Sequence, residues 1–443
     1  MSNKLVFPIS ILVGIGAAIL SINFNLLIFF IGLIFLVLIF IKKEFFFIGL
    51  ILSVDNILYL VSNDLGEKIN LFFSFSVLFL IISYLIRANS HKLNTSLMNF
   101  KFPIILFILL VMVEPLNSYY LYDQPILLGI KATKWYLVVL TYILVSYLLV
   151  NNLISKRKIE NIIIYIGFIA ACVYITQFVM YDKIQFLNVN FLERFGEVRF
   201  YQGVNIVILS LFMSFNRLIT GKNVSLIMIL ICITNLFYII IVANSRTLTI
   251  PIMVAIMFIF IIQRKFNRYI VFCLAVISFF YFFILNENNL LKSIFTLLVE
   301  DISNKSGTFD VRLHEIEFYL TEVFKSPILG RGLLIESHYP SYIALGKQME
   351  YFLSDVGIIG FFFKFGLVGL MIIFSLIVLM IKNIKYLRKN HISKFDFIGY
   401  FIYLLISIWF VPLFDNTGSL LCLAFVLSLI DYEVLQIKLR STK

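Results

Sequence analysis

Apolar runs of about 20 residues recur along the whole of this 443-residue chain, and about that length of helix crosses a bilayer. Hydrophobic residues make up 61% of the sequence, including 49 Phe, which is more apolar surface than a soluble core can bury. Membrane-spanning strands would alternate in segments of about 10 residues, and that pattern is missing. The sequence therefore predicts an all-α polytopic integral membrane protein.

We predict about fourteen transmembrane helices, which form a single membrane domain over residues 1–443. Their approximate ranges are 5–22, 25–41, 45–62, 70–86, 102–116, 135–153, 160–181, 204–220, 224–243, 247–263, 269–286, 353–382, 396–410 and 418–434. The span at 353–382 is longer than a bilayer needs, so we expect it to tilt or to begin outside the membrane.

The formal net charge of +12 does not indicate a nucleic-acid partner, because Lys and Arg fall in the gaps between apolar runs. Such gaps are typical of cytoplasmic loops, since short basic loops stay inside. With the N-terminus inside, the basic segments "SKRKIE" and "KNIKYLRKNHISK" and the tail "KLRSTK" also lie inside. The long polar loop 287–352, between predicted spans 11 and 12, is then extracytoplasmic.

Within this loop, the segment "TFDVRLHEIEFYLTEVF" predicts an amphipathic helix at the membrane surface. Its apolar stripe is formed by Phe309, Leu313, Ile316, Leu320 and Phe324, with Arg312, Glu315 and Glu322 outside that stripe. Pro327 ends the helix, and a turn at Gly330-Arg331-Gly332 follows.

Several common reaction motifs are missing from the sequence. It contains no GxxxxGK phosphate loop, no acidic or His/Cys cluster with metal-ligand spacing and no GxSxG nucleophile motif. We therefore expect no cofactor, no metal and no coupling to ATP within this chain.

Arginine is the conspicuous charged residue on the predicted outer side, at positions Arg194, Arg199, Arg246, Arg312 and Arg331. Its planar fork stays charged and matches two oxygens of a phosphate or carboxylate. Arg246 stands between two apolar spans, where a charge is costly unless it is paired or hydrated. The alternative for Arg246 is an arginine that only extends its charged end to the membrane interface.

Four histidines fall into different settings. His91 and His391 lie in basic loops, and His314 lies on the amphipathic helix. His338 follows the Gly-Arg-Gly turn, with Glu336 two residues before it. Because imidazole titrates near neutral pH, His338 is a candidate general base, the alternative being a structural loop histidine.

Three ionisable residues lie inside or at the ends of predicted spans: Asp55, Glu114 and Lys364. Ionisable groups at membrane depth are often functional. The alternatives are span boundaries nearer Asp55 and Glu114, and a lysine that reaches the interface.

The order of these features resembles the O-antigen polymerase/ligase superfamily, bacterial membrane glycosyltransferases that use polyprenyl-diphosphate-linked sugars. The similar elements are "RFYQG" from Arg199, "NSRT" around Arg246, "VRLHEIEFYLTEVFKSPILGRG", the following histidine and "YFLSDVGIIGFFFKFGLVGL". Family members commonly have His-Asn in the loop, where this chain has His338-Tyr339.

The resemblance implies a GT-C-like, metal-independent enzyme of the bacterial inner membrane, acting on undecaprenyl-diphosphate-linked repeat units of O-antigen, capsule or exopolysaccharide. It implies that Arg246 and Arg312 bind the donor diphosphate and that His338 activates the acceptor. The candidate substrate-binding set also includes Arg194, Arg199, Arg331 and Glu336. The partners it implies are a glycan donor, a glycan acceptor, membrane lipid and a chain-length regulator.

The His-Tyr pair favours a polymerase, which joins repeat units, over a ligase that transfers glycan to lipid A-core in lipopolysaccharide. A flippase for lipid-linked oligosaccharide and a scaffold for polysaccharide assembly are the alternatives from other classes. Flippases usually have internal repeats and short loops, whereas this chain has one long loop and no repeat.

Overall fold

A computed structural model describes residues 43–55, 57, 73–82, 98–185, 187, 192–194, 197–221, 225–262, 308–390 and 395–441. The predicted spans at 5–22, 25–41 and 269–286 lie outside these ranges, as do His91, His391 and the first part of the long loop.

The described residues are mostly helical, in agreement with the predicted fold class. The α-helices are α1 (Lys43–Val54), α2 (Phe73–Ile82), α3 (Lys101–Tyr122), α4 (Ile126–Thr133), α5 (Thr141–Val150), α6 (Lys156–Met180), α7 (Val204–Thr220), α8 (Leu226–Phe237), α9 (Arg246–Ile262), α10 (Thr308–Phe324), α11 (Tyr339–Ala344), α12 (Ile358–Lys389), α13 (Phe395–Ser407) and α14 (Thr417–Ser441). Short 3₁₀ helices cover Lys134–Leu140, Lys347–Met349 and Leu353–Asp355, and a π-helical turn covers Tyr238–Val242.

A small antiparallel hairpin was also not predicted from the sequence. Its strands are β1 (Leu192–Arg194) and β2 (Glu197–Arg199), with Leu192 opposite Arg199 and Arg194 opposite Glu197. The hairpin lies in the connection between α6 and α7.

Fourteen spans are not confirmed. Within the described ranges, five helical segments are long and apolar enough to cross a membrane: Lys101–Tyr122, Ile126–Val150, Lys156–Met180, Ile358–Lys389 and Thr417–Ser441. The other helices within predicted spans have 10–17 described residues, and α1, α2 and α9 border residues outside the described ranges.

Helix α14 is the centre of the bundle, and it packs against α1, α5, α7 and α12. Its side chains are buried on nearly all sides, which is the pattern of an apolar helix surrounded by protein. The helix pair α6 and α7 packs closely where Gly167 meets Ser210, since a Cβ on Gly167 would lie 2.3 Å from the Ser210 Cβ.

Helix α12, the long span of the sequence prediction, begins at Ile358 and is interrupted at Gly366. Gly366 has φ 59° and ψ −160°, a conformation essentially restricted to glycine. The break removes the helical bonds from the Leu367 and Val368 N–H groups to the carbonyls of Phe363 and Lys364. Those four groups need other partners, because unpaired backbone groups in a membrane protein are costly.

The turn predicted after Pro327 supplies these partners. The carbonyls of Pro327 and Ile328 accept from the N–H groups of Leu367 and Val368, at 2.9 and 3.1 Å. In return, the N–H groups of Arg331 and Gly332 donate to the freed carbonyls of Phe363 and Lys364, at 2.7 and 3.0 Å. The extracytoplasmic loop of the prediction is therefore joined to the membrane helix at its break. We call residues 327–332 the docking turn.

The predicted helix after residue 308 is confirmed, and the face that it buries against protein is not its predicted apolar stripe. Leu313 and Phe324 are 48% and 70% exposed, whereas Glu315, Tyr319 and Val323 are buried. These three lie at i, i+4 and i+8, and α10 packs this face against α12, with Tyr319 edge-on to Phe363. Glu315 is tolerated there because its Oε1 accepts from the Phe352 N–H at 3.0 Å.

Candidate functional site

His338 lies at the end of the docking-turn segment, directly before the short helix α11. It occupies the N-cap position with extended backbone (φ −101°, ψ 119°), and its ring is half-buried. Pro340 in the first turn of α11 favours this helix start, because its missing N–H would be unpaired there anyway. The backbone carbonyl of His338 accepts from the Tyr342 N–H at 2.9 Å. The imidazole is thus held on a short, well-started helix.

A chain of side-chain hydrogen bonds anchors the imidazole to the end of α3. Its Nδ1 lies 2.9 Å from the Ser341 Oγ, and that hydroxyl donates to the Gln124 Oε1 at 2.9 Å. Ser341 and Gln124 are both fully buried. Gln124 also binds the loop backbone: its Nε2 donates to the Leu333 carbonyl at 2.9 Å, and its Oε1 accepts from the Ile335 N–H at 2.8 Å. We call His338, Ser341 and Gln124 the histidine relay.

Arg331 projects from the docking turn into protein. It is 7% exposed, its Nη2 lies 2.5 Å from the Glu322 Oε2 on α10, and its guanidinium lies 5.5 Å from the centre of the Tyr122 ring. Its Nε is buried and without a hydrogen-bond partner among the described residues. These contacts fix the turn between α3 and α10.

Glu336, the predicted carboxylate beside the histidine, is exposed. It forms an ion pair with Lys347 at 2.9 Å, and the Lys347 ammonium lies 4.0 Å from the centre of the Phe352 ring. Tyr339, which follows the histidine, is 68% exposed. The rim of the histidine segment therefore presents an ion pair and an aromatic ring to its surroundings.

Arg312 lies near the start of α10 and is half-buried. Its charge acts on Glu315, three residues later on the same helix. Burial raises the pKa of Glu315 above its ordinary value, and the Phe352 N–H and Arg312 partly offset that rise. The candidate cation at 312 thus stands beside a carboxylate that is costly to ionise.

Arg246 is the first residue of α9 and is half-buried. The residues beside it add hydroxyl groups, with the Ser245 and Thr247 Oγ atoms 2.9 Å apart. The chain enters α9 through Asn244, which has φ 40°. A helix N-terminus favours an anion, because its first N–H groups have no helical acceptor.

The segment with Arg199 lies beside the approach to Arg246. The Phe200 N–H donates to the Val242 carbonyl at 3.2 Å, and the Tyr238 hydroxyl donates to the Gln202 carbonyl at 2.6 Å. Arg199 is half-buried, and its Nε has no hydrogen-bond partner within the described ranges. For Arg194 the structure describes the strand backbone alone. Two predicted arginines, 199 and 246, therefore lie on joined segments.

A second polar network crosses the bundle where α1 and α7 meet the connection from α13 to α14. The Asn205 Nδ2 donates to the Asp55 Oδ1 at 2.8 Å and to the Asn416 Oδ1 at 3.2 Å. Next along the chain, Asp415 forms an ion pair with Lys364 and accepts from the Tyr136 hydroxyl. We call Asp55, Asn205, Asn416, Asp415 and Lys364 the polar layer.

The polar layer accounts for two of the three ionisable residues that were predicted within spans. Asp55 caps α7, since its Oδ2 accepts from the Ile206 N–H at 2.9 Å. Lys364, just before the break in α12, is neutralised by Asp415. The third, Glu114, is fully buried in α3, and its Oε2 accepts from the Asn117 Nδ2 at 3.0 Å.

Among the described residues, no group of three or more His, Cys, Asp or Glu side chains is arranged to hold a metal ion.

Residues 227–374 match the family model described as O-antigen ligase. The resemblance to the O-antigen polymerase/ligase superfamily is confirmed. No curated protein matches the chain.

The match with the O-antigen ligase family covers α8 to α10, the docking turn, the histidine segment and α12 as far as residue 374. It includes Arg246, Arg312, Arg331, Glu336 and His338, and does not extend to Arg194 or Arg199. With the long apolar helices, it indicates an integral inner-membrane protein with O-antigen polymerase/ligase-type function. It gives no support to a flippase.

Sequence reasoning missed Gln124, Ser341, Asp415 and Asn205. Each is a polar residue of ordinary type at the edge of an apolar run, and each acts through a partner more than 50 residues away or through a short helix. The usable signal was a polar residue beside a proline in the gap between two predicted spans, as in "YDQP" for Gln124.

Proposed function

We propose that this protein polymerises polyprenyl-diphosphate-linked oligosaccharide repeat units on the extracytoplasmic face of the bacterial inner membrane. The observation that carries the proposal is the setting of His338. It lies in the segment that matches the O-antigen ligase family, on a loop fixed to a broken membrane helix, and its ring is held through one nitrogen. A half-buried, anchored imidazole is a suitable general base for an acceptor hydroxyl.

In the proposed step, Nε2 of His338 takes the proton of an acceptor hydroxyl while that oxygen forms a bond to the anomeric carbon of the donor sugar. The bond from the anomeric carbon to the diphosphate oxygen breaks, and the lipid diphosphate leaves with the electron pair. Direct displacement of this kind inverts the anomeric centre. The donor carries its own activation, so the step needs no ATP.

The arginines are assigned by their settings. Arg246, at the N-terminus of α9 with two hydroxyl groups beside it, is proposed to bind the diphosphate, because charge grows there as the bond breaks. Arg312 and Arg199 are proposed as further cations along the donor, and Arg194 and Glu336 as contacts to the glycan. Arg331, which is committed to Glu322, is proposed to hold the docking turn. We infer that arginine charge takes the part that a metal has in other phosphate-leaving reactions.

Transfer to lipid A-core is the second candidate, favoured by the description of the matching family model as O-antigen ligase. The two reactions share the donor and the chemistry, and they differ in the acceptor. A chain-length regulator is proposed as a partner only in the polymerase case.

The test is complementation of a deletion strain, with the surface glycan examined on gels. A polymerase predicts that His338→Ala and Arg246→Ala lose long chains and retain one-repeat products, whereas a ligase predicts loss of all transferred glycan. Lipid-linked units trapped inside the cell would indicate a flippase. His314→Ala, at an exposed histidine of α10, is the matched control and should make normal chains. Normal chains from both His338→Ala and Arg246→Ala, at wild-type protein levels, would reject the assignment.

A further inference from the structure

The orientation of the Gln124 side-chain amide is fixed by the backbone around it. One end faces the Leu333 carbonyl, which can only accept, so that end must be the NH₂ group. The other end faces the Ile335 N–H, which can only donate, so that end must be the oxygen. Reversing the amide would place donor against donor and acceptor against acceptor, inside a fully buried site.

This orientation sets the polarity of every bond that follows. Because the Gln124 Oε1 can only accept, Ser341 must use its single hydroxyl proton to donate to it. The Ser341 oxygen then has only lone pairs left for the imidazole, at 2.9 Å from Nδ1. The His338 Nδ1 must therefore carry a proton and donate it.

We infer that Gln124 and Ser341 are positioning residues that hold neutral His338 as the tautomer with its proton on Nδ1, which leaves Nε2 unprotonated as the base. The inference rests on the proposed function, since it specifies how the proposed general base is prepared. In the described part of the chain, Nε2 has no hydrogen-bond partner, and Nδ1 is the nitrogen that is bound. Gln124 and Ser341 are both fully buried, and Ser341 contacts the Nδ1 side of the imidazole.

The relay serves both stages of the proton transfer. Before the step, the Nδ1–H bond to Ser341 keeps the Nε2 lone pair available. After Nε2 has taken the acceptor proton, the imidazolium still donates from Nδ1 to the same oxygen, so no group in the relay has to turn. Without the relay the ring could carry its proton on Nε2, and that tautomer would present a donor, not a base, to the acceptor hydroxyl.

The relay also explains why the loop closes on α3. Gln124 holds the Leu333 carbonyl and the Ile335 N–H, and the docking turn before them is bonded to the broken helix. The Gln124 amide therefore acts on two features of the site: the tautomer of His338 and the position of the loop that carries it.

The experiment uses the full-length protein in liposomes, with a polyprenyl-diphosphate-linked repeat unit as the substrate. We expect Ser341→Ala to lower kcat by about 10- to 100-fold with little change in KM, a smaller loss than the 10²–10⁴-fold that removal of a general base costs. Gln124→Met, of similar size, should act in the same direction. Ser341→Thr, which retains the hydroxyl, should recover most of the rate. Ser428→Ala removes another fully buried helix serine and should keep the wild-type kcat.

A double-mutant comparison separates tautomer control from simple loop support. In a His338→Ala background, Ser341→Ala should change the residual rate by less than about twofold, because there is no imidazole left to orient. An equal fractional loss in both backgrounds would overturn the inference in favour of loop support. A wild-type kcat for Ser341→Ala, with His338→Ala inactive, would overturn the relay and leave the proposed function standing. A wild-type rate for His338→Ala would reject both.

Discussion

The two polar networks of this protein are built from similar side chains and do different work. In the polar layer, Asp55 caps α7 and Lys364 is neutralised by Asp415, so these charged side chains serve to join helices. The histidine relay instead begins at a fully buried amide and ends at a half-buried ring with one nitrogen bound. We therefore propose that a polar network in this protein serves chemistry where it ends with a reactive atom still available, and not merely where it is buried.

The largest effect that we expect is the loss of glycan transfer in His338→Ala, which tests whether the histidine relay differs in role from the polar layer. We expect the transfer rate in liposomes to fall by about 10²–10⁴-fold, as for removal of a general base. The midpoint of thermal unfolding in detergent should stay within about 1 °C, because the relay ends at this ring and no further bond depends on it. A large drop in the midpoint, together with the loss of rate, would make His338 a structural residue like those of the polar layer.

Gly366→Ala should damage both stability and transfer. The φ of 59° and ψ of −160° are strained for any side chain, at a cost of about 1–3 kcal/mol. A Cβ would also lie 2.3 Å from the Ile328 carbonyl oxygen, so the docking turn would have to move. The midpoint of thermal unfolding and the transfer rate in liposomes should both fall in Gly366→Ala, and these two measurements check the prediction. Gly167→Ala, also close-packed but helical and remote, should lower the midpoint and spare kcat.

Lys364→Ala is the corresponding test of the polar layer. Exposed pairs are worth about 0–1 kcal/mol and broken buried pairs cost about 3–5, so a pair at 18% and 20% exposure should cost about 1–3 kcal/mol. Thermal unfolding would measure the loss, with exposed Lys382→Ala on the same helix as the control. Adding Asp415→Asn, which removes the unpaired charge, should recover part of it. No loss in Lys364→Ala would mean that the layer is not held by charge.

The two networks also differ in how far the sequence predicted them. His338 was named as a candidate, as were Arg246 and Arg312, because an unusual residue type in an apolar chain limits its own roles. Gln124 and Ser341 were not, because their importance lies in contacts between residues 217 positions apart, which no local pattern encodes. The break at Gly366 was hidden for the same reason, since an apolar run reads the same whether its helix is continuous or completed by another segment.

The stripe on α10 shows a different limit of sequence reasoning. Hydrophobic spacing favoured the face with Phe324, yet the tertiary contacts bury the face with Tyr319 and Val323. The contacts of Tyr319 fix which face of α10 is buried. Its ring centre lies 5.3 Å from that of Phe363 on α12, and its hydroxyl donates to the Leu345 carbonyl. A helix between protein and membrane has two apolar sides, and its sequence does not say which one meets protein.

The two faces of α10 can be compared directly. Val323→Ala removes buried methyl groups and should cost about 1–2 kcal/mol, whereas Phe324→Ala, at 70% exposure, should cost less than about 0.5 kcal/mol in detergent. Urea or thermal unfolding of the two single variants would measure the difference. The reverse order would mean that α10 packs against protein through the face with Phe324.

The smallest expected effect concerns Glu315, whose carboxyl group is buried where α10 packs against α12. Because burial raises its pKa in the folded protein, folding favours the protonated form. Its contribution to stability is therefore present at low pH and is lost as the pH rises through the folded pKa. Glu315→Gln keeps the acceptor for the Phe352 N–H and removes the charge. Its unfolding midpoint should exceed that of the wild type slightly at pH 8, with the gap closing toward pH 4. Exposed Glu317→Gln should show no such gap, and a wider gap at pH 4 than at pH 8 would mean that the Glu315 carboxylate is stabilised in the fold.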